Sequence, residues 1–120
     1  MWVVDPRRTT SARFADMWLG LNVGTDIALA NGVAREIIHA DLVNVEFVEN
    51  ATVGYEDFAS HVEPWTLDRT AEVTGVPAEA IRDLARGYAG AATAQLMWTL
   101  GITEHHTAVD NVLALCNLAL

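Results

Sequence analysis

Trp2-Val3-Val4-Asp5-Pro6-Arg7-Arg8-Thr9, followed by Met17 to Leu21 and then Gly24-Thr25-Asp26, is the stretch that decides the fold. Three consecutive apolar residues suit a strand buried on both faces of a parallel sheet, and Asp5-Pro6 ends it. Met17 to Leu21 gives a second short strand. Thr25 or Asp26 can then cap a long helix running to about His39. Its apolar residues Ala30, Val33, Ala34, Ile37 and Ile38 follow the helical repeat.

The remainder continues the alternation. Val45 to Asn50 and Glu56 to His61 read as two short helices joined through Gly54. Thr66 can cap a further helical turn, which Thr74-Gly75-Val76-Pro77 breaks. Pro77 is expected in the first turn of an amphipathic helix with Ile81, Leu84, Ala85 and Tyr88 on one face, weakened at its end by Gly87 and Gly90. Ala94 to Thr99 is expected to be a buried strand. Thr107 and Asp110 resemble a capping box before an apolar face of Val109, Val112, Leu113 and Cys116. Strands alternating with helices imply an α/β fold with a mostly parallel sheet.

Composition narrows the classes. The chain has 120 residues and 52% apolar content, enough for a real core and too much for extended disorder. Its net charge is -9, and its cations are all Arg. That balance argues against a nucleic-acid or anionic-membrane partner, yet Arg7, Arg8 and Arg13 cluster where a phosphate could bind. Cys116 is the only cysteine, so no internal disulfide forms, as expected of a reducing, cytoplasmic compartment. No apolar run reaches the roughly 20 residues of a membrane span, and no signal-peptide pattern opens the chain. Leu118-Ala119-Leu120 lies inside an apolar helical pattern without a stop signal. The expectation is therefore one partial domain, residues 1–120, from a larger protein.

Three segments carry the polar chemistry, each where an element meets a loop. Asp5 would stand beyond the carboxyl end of a strand, where ligands of open α/β sheets bind. Its carboxylate can accept from ribose hydroxyls or a guanine edge, and Arg7 and Arg8 offer planar forks for a pyrophosphate. The same residues also make an ordinary strand-stopping turn. Gly24 lets backbone approach a ligand, the following helix start offers free N–H groups, and Asp26 can receive two donors from guanine. The competing reading is a plain N-cap. Leu100-Gly101-Ile102-Thr103-Glu104-His105 again follows a predicted strand and precedes a helix. Adjacent His105 and His106 diverge on a helix or a strand, so joint metal chelation is not expected. Cys116 reads as packing, the four Trp as core or interface, and Glu46, Glu49, Glu56, Asp57 and Glu63 as solvated helix faces. There is no Ser-His-Asp set, CxxC pair, GxGxxG fingerprint or Walker loop.

Taken together, these segments resemble one stretch of the molybdopterin-dependent oxidoreductases, within the DMSO reductase superfamily. The likeness runs through Asp5 to Thr9, Ala15-Asp16, Gly24 to Leu29, Thr74 to Glu79, Leu100 to His105 and Val109 to Val112. The Gly-Ile-Thr-Glu-His form is most similar to formate dehydrogenase alpha subunits, with nitrate reductases a related alternative. The resemblance implies a Rossmann-like partial parallel sheet with flanking helices, helix-rich, within a larger multi-domain fold. It implies binding of a molybdenum or tungsten bis(molybdopterin guanine dinucleotide). Asp5, Pro6, Arg7, Arg8, Thr9, Gly24, Thr25 and Asp26 would surround the nucleotide end. Leu100, Gly101, Thr103, Glu104 and His105 would line the cofactor nearer the pterin.

Two residues depart from the family pattern: Leu100 stands where Met is common, and Glu104 where Gln is common. Ionised Glu cannot donate a hydrogen bond as Gln does. The family's metal-ligating cysteine or selenocysteine and its iron–sulfur cysteines fall upstream of the matched stretch, and Cys116 does not correspond to them. The chain alone is thus expected to be a cofactor cradle without a redox centre. Its partners would be the remainder of the catalytic subunit and electron-transfer subunits. A non-catalytic guanine-nucleotide or pterin module, and a small α/β interaction domain, are the competing functions.

Overall fold

A computed structural model describes residues 1–120. Strands β1 (Trp2–Val4) and β2 (Met17–Leu19) pair in parallel, with Trp2 opposite Met17, Val3 opposite Trp18 and Val4 opposite Leu19. Parallel neighbours need a connection of about a dozen residues. Residues 5–16 supply it and include a short helix, α1 (Thr10–Phe14). Sequence periodicity does not announce so short a helix. Its signal is the cap, because the Thr9 hydroxyl oxygen accepts the Ala12 N–H at 3.3 Å.

Helix α2 (Asp26–His39) is the axis of the molecule, and every residue from Ala28 to Ala34 is buried. Around it pack α4 (Tyr55–Val62), α5 (Leu67–Thr74), α6 (Ala78–Ala89) and α8 (Ala108–Ala119). The two remaining helices are α3 (Val45–Ala51) and α7 (Leu100–Thr103). Local chemistry sets most boundaries. Asn44 accepts the Phe47 N–H to start α3, and Thr66 accepts the Arg69 N–H to start α5. Gly75 ends α5 in the left-handed conformation, at φ 74°. Pro77 stands just before α6 rather than in its first turn, and its carbonyl accepts the Ile81 N–H.

The core gathers Leu19, Leu21, Leu29, Val33, Val76, Ile81 and Ala85, with Leu118 of α8 leaning on it. Two glycines allow close approach. A Cβ on Gly32 would lie 2.4 Å from the Thr70 hydroxyl oxygen, so α2 and α5 touch almost backbone to side chain. A Cβ on Gly87 would lie 2.8 Å from the Trp2 ring, so the indole sits in a notch on α6.

Three expectations are corrected. Ala94 to Thr99 is not a buried strand: the sheet has two strands, and all six residues except Leu96 are exposed. Apolar content alone does not make a strand when no neighbour within the chain pairs with it. Thr107 and Asp110 form no capping box, because Thr107 (φ −101°, ψ 24°) lacks the extended backbone that capping requires. Its hydroxyl faces Asn111 instead, at 3.5 Å. Val109 and Leu113 are exposed, Cys116 is half-buried, and the residue α8 buries is Asn111.

The result is helix-rich with a small parallel sheet, α/β in that coarse sense. Its radius of gyration, 13.7 Å, equals the roughly 13.6 Å of a compact domain of this length. Yet the chain exposes 7618 Å², about 1,300 Å² more than a monomer of 13.0 kDa ordinarily does. Phe14, Val23, Met97, Leu100 and Val109 contribute to that excess.

Candidate functional site

Parallel pairing sends both strands out at the same rim of the sheet. The Asp5 N–H continues the ladder by donating to the Leu19 carbonyl at 3.2 Å. From there the Asp5-to-Thr9 turn and the loop before α2 leave side by side. The Trp18 indole N–H donates to the Asp5 carbonyl at 2.8 Å, fixing the turn on β2. The Arg8 guanidinium lies over the Trp18 ring, 5.7 Å from its centroid. One carboxylate oxygen of Asp5 accepts the Arg7 N–H at 2.7 Å and stands 3.9 Å from the Arg7 Nε. Asp5 therefore does build the turn, as the plainer reading expects, while its other oxygen stays free. Pro6, Arg7 and Arg8 are exposed. Thr9 is committed to capping α1.

The second segment lies at the N-terminal end of α2. Gly24 has φ 82°, and an added Cβ would meet nothing within 4 Å. The glycine serves the left-handed backbone, and the space in front of it is open. Thr25 does not cap α2; its hydroxyl donates to the Asn22 carbonyl at 2.7 Å. The first bond into the helix is from Leu29 N–H to the Thr25 carbonyl. The N–H groups of Asp26, Ile27 and Ala28 thus lack acceptors within the chain, which is the donor set an anion uses at a helix start. Asp26 is half-buried and makes no side-chain hydrogen bond.

The third segment differs from its expected setting. Leu100, Gly101 and Thr103 form the single turn α7, with Glu104 at its end, and no strand precedes them. Leu100 and Glu104 are exposed, a Cβ on Gly101 would meet nothing, and His105 is half-buried. The Asn111 amide holds α7 by donating to the Ile102 carbonyl at 3.1 Å. Ile37 and Ile38 of α2 and Asn117 to Leu120 of α8 line one apolar cavity of about 220 Å³. α8 packs on α2, and α7 packs on α8. No hydrogen bond or ion pair joins it to the first two segments.

The distribution of cations singles out the rim. Arg35 donates to the Glu63 carboxylate at 2.9 Å, and Arg82 and Arg86 face Glu36 at 3.7 and 3.8 Å. Arg69 lies over Trp65. Arg8 and Arg13 have no carboxylate partner, and that of Arg7 is distant. The rim between β1 and α1 thus gathers three of the chain's seven guanidiniums, Arg7, Arg8 and Arg13, none of them in a close ion pair, in a chain of charge -9.

Sequence reading missed the pairs joining α2 to its neighbours. Glu63 is not merely a solvated residue, since it also accepts from His39 at 2.7 Å, tying α4 to α2. The His39 hydrogen bond, followed by that of Arg35, holds the Glu63 carboxyl below its usual 4.5. Arg82 and Arg86, four apart on α6, were a legible hint of a facing acid. No three His, Cys, Asp or Glu residues gather where a metal could be held.

No family model matches the chain. It is 43% identical over 117 residues to the F420-dependent formate dehydrogenase 2 subunit alpha of Methanococcus maripaludis, covering 98% of this chain and 17% of that protein. It is 39% identical over 118 residues to formate dehydrogenase H of Escherichia coli, covering 98% and 16%. Acetylene hydratase from Pelobacter acetylenicus superposes with a TM-score of 0.93 at 39% identity, over 98% of this chain and 16% of that one. The chain thus spans about a sixth of the length of the relatives it matches. In sequence and in fold it belongs to the molybdopterin oxidoreductase superfamily, as one segment of the length of such an enzyme.

Proposed function

We propose that this chain holds the nucleotide end of a molybdopterin guanine dinucleotide within a formate dehydrogenase catalytic subunit. The observation that carries the reading is the pairing, at one sheet rim, of exposed guanidiniums held in no close ion pair with an uncapped start of α2. Those groups fit the cofactor's pyrophosphate. The free oxygen of Asp5 and the unbonded carboxylate of Asp26 fit guanine or ribose donors. Gly24 keeps the approach open. Thr9 and Thr25 orient the two loops, and the Thr9 hydroxyl keeps its proton and the Thr25 hydroxyl its oxygen lone pairs for the ligand. Leu100, Gly101, Thr103, Glu104 and His105 form the pterin-side wall, with Glu104 as an acceptor. The β1–β2 pair is then part of a Rossmann-like sheet, and residues 1–120 are part of one domain.

When bound, the cofactor supplies a molybdenum or tungsten centre able to accept the two electrons released as formate becomes carbon dioxide. This chain's residues bind and orient. The redox centre, its iron–sulfur cluster and the electron-transfer partners belong to the rest of the enzyme, placed in the cytoplasm. Two relatives' names support this division of labour. The chain is about as similar to an acetylene hydratase, at 40% identity, as to formate dehydrogenase H, at 39%. A segment shared by a dehydrogenase and a hydratase serves the common cofactor rather than the choice of reaction.

Titration of the chain with GDP in a calorimeter tests the reading. Saturable binding that weakens with added salt is expected. No heat at millimolar GDP overturns it.

A further inference from the structure

Asn22 is exposed and sits outside every motif the sequence displays, yet all but one of its polar groups are engaged. Its backbone N–H donates to the Thr74 carbonyl at 2.7 Å. Its side-chain amide donates to the Val73 carbonyl at 3.1 Å. Its own carbonyl accepts twice from Thr25, from the N–H at 3.3 Å and from the hydroxyl at 2.7 Å. Val73 and Thr74 are the last two residues of α5, whose final carbonyls have no acceptor role left inside the helix. The side chain also lies against Gly75, where a Cβ would stand 3.1 Å from both of its terminal atoms. Gly75 holds φ 74°, so the absence of a side chain there serves the helix stop and the seat of Asn22 together.

Two residues beyond Asn22, Gly24 adopts φ 82° with nothing packed on it. An unsupported glycine samples many conformations. Here the backbone on either side is pinned, by Asn22 to α5 and by Thr25 back to Asn22. We infer that Asn22 is a positioning residue: it staples the Gly24 loop to the C-terminal end of α5 and so aims the free N–H groups of α2 at the anion. This inference rests on the proposed nucleotide site and adds the element that pre-organises it.

The test compares the wild-type chain with Asn22→Ala by amide hydrogen exchange and by GDP titration. In the wild type, the Asn22 and Thr25 amides are expected to be protected. In the variant, the Thr25 amide loses protection while those of Val33 and Ile81 keep theirs, and the Kd for GDP rises about fivefold. Equal Thr25 protection in the two proteins, or an unchanged Kd where the wild type binds, overturns the staple. Unprotected Asn22 and Thr25 amides in the wild type overturn it even where the variant fails to fold. Failure of the wild type to bind GDP refutes the nucleotide site instead, and exchange alone then decides whether Asn22 pins the loop.

Discussion

Gly32→Ala probes the contact on which the candidate site's geometry depends. Gly32 is buried in α2, and the new methyl would stand 2.4, 2.5 and 2.9 Å from the Oγ1, Cγ2 and Cβ of Thr70. No carbon fits at those distances. Thr70 cannot yield easily: it is fully buried, β-branched on a helix, and bonded to the Trp65 carbonyl at 3.3 Å. Overpacking of this kind costs about 1–3 kcal/mol. Alanine returns about 1 kcal/mol of helix propensity. The net expectation is a loss of up to about 2 kcal/mol. With an unfolding entropy of roughly 0.25 kcal/mol/K for this length, the melting temperature falls by up to about 8 °C. Thermal denaturation followed by circular dichroism at 222 nm measures it. The double variant Gly32→Ala/Thr70→Ala should cost less than the two single changes added together, because the second removes the atoms the first strikes. A Gly32→Ala chain that melts above the wild-type temperature, or strict additivity, refutes the close approach of α2 to α5.

At the rim, Arg7→Ala and Arg8→Ala should each weaken GDP binding about tenfold at low salt with little change in melting temperature, since both side chains are exposed. Equal salt dependence in wild type and variants counts against pyrophosphate pairing. Asp26→Asn should lower GDP affinity more than affinity for inorganic phosphate, and a parallel loss of both refutes a role in reading the base. Because His39 and Arg35 depress the Glu63 pKa, the stability that Glu63 confers is complete above 4.5 and is lost as pH falls through the lower folded value. Urea midpoints of wild type and Glu63→Gln should therefore differ near neutral pH and converge in strong acid; a constant gap across pH excludes the linkage. The chain on its own should self-associate through its uncovered apolar surface, and Met97→Ser with Leu100→Ser should reduce its sedimentation-average mass.

Helices were legible because their signals are local. Asp26 to His39 has an apolar repeat and a polar start strong enough to carry the helix across Gly32, and α2 occupies those residues. Thr66, Gly54 and Gly75 each mark a boundary by their own chemistry. What the sequence hides is contact between distant residues. Asn22 meets Val73 across 51 positions, and no pattern around either announces the other. Gly32 and Gly87 look like helix weaknesses in one dimension, yet they are the seats of Thr70 and Trp2 in three. Ala94 to Thr99 has a strand's composition and no partner, because pairing is supplied by a neighbour rather than by the residues themselves.

The same distinction orders the candidate site. Its first two segments fall together for a reason the sequence contains: two parallel strands must release their loops at one rim, so Asp5 and Gly24 follow from the identity of β1 and β2. The third is held by α8, through the Asn111 amide on the Ile102 carbonyl, and no bond ties it to the other two. Its wall is exposed, and about 1,300 Å² of surface beyond the ordinary lies uncovered on the chain. The first two segments are thus built by bonds inside these residues, whereas the third has one face supported and the other bare. A cofactor enclosed on both sides needs that second face from elsewhere in the subunit. On the proposed reading, this chain therefore grips the nucleotide with its own loops, and the pterin's position is set once the rest of the enzyme closes over Leu100 and Glu104.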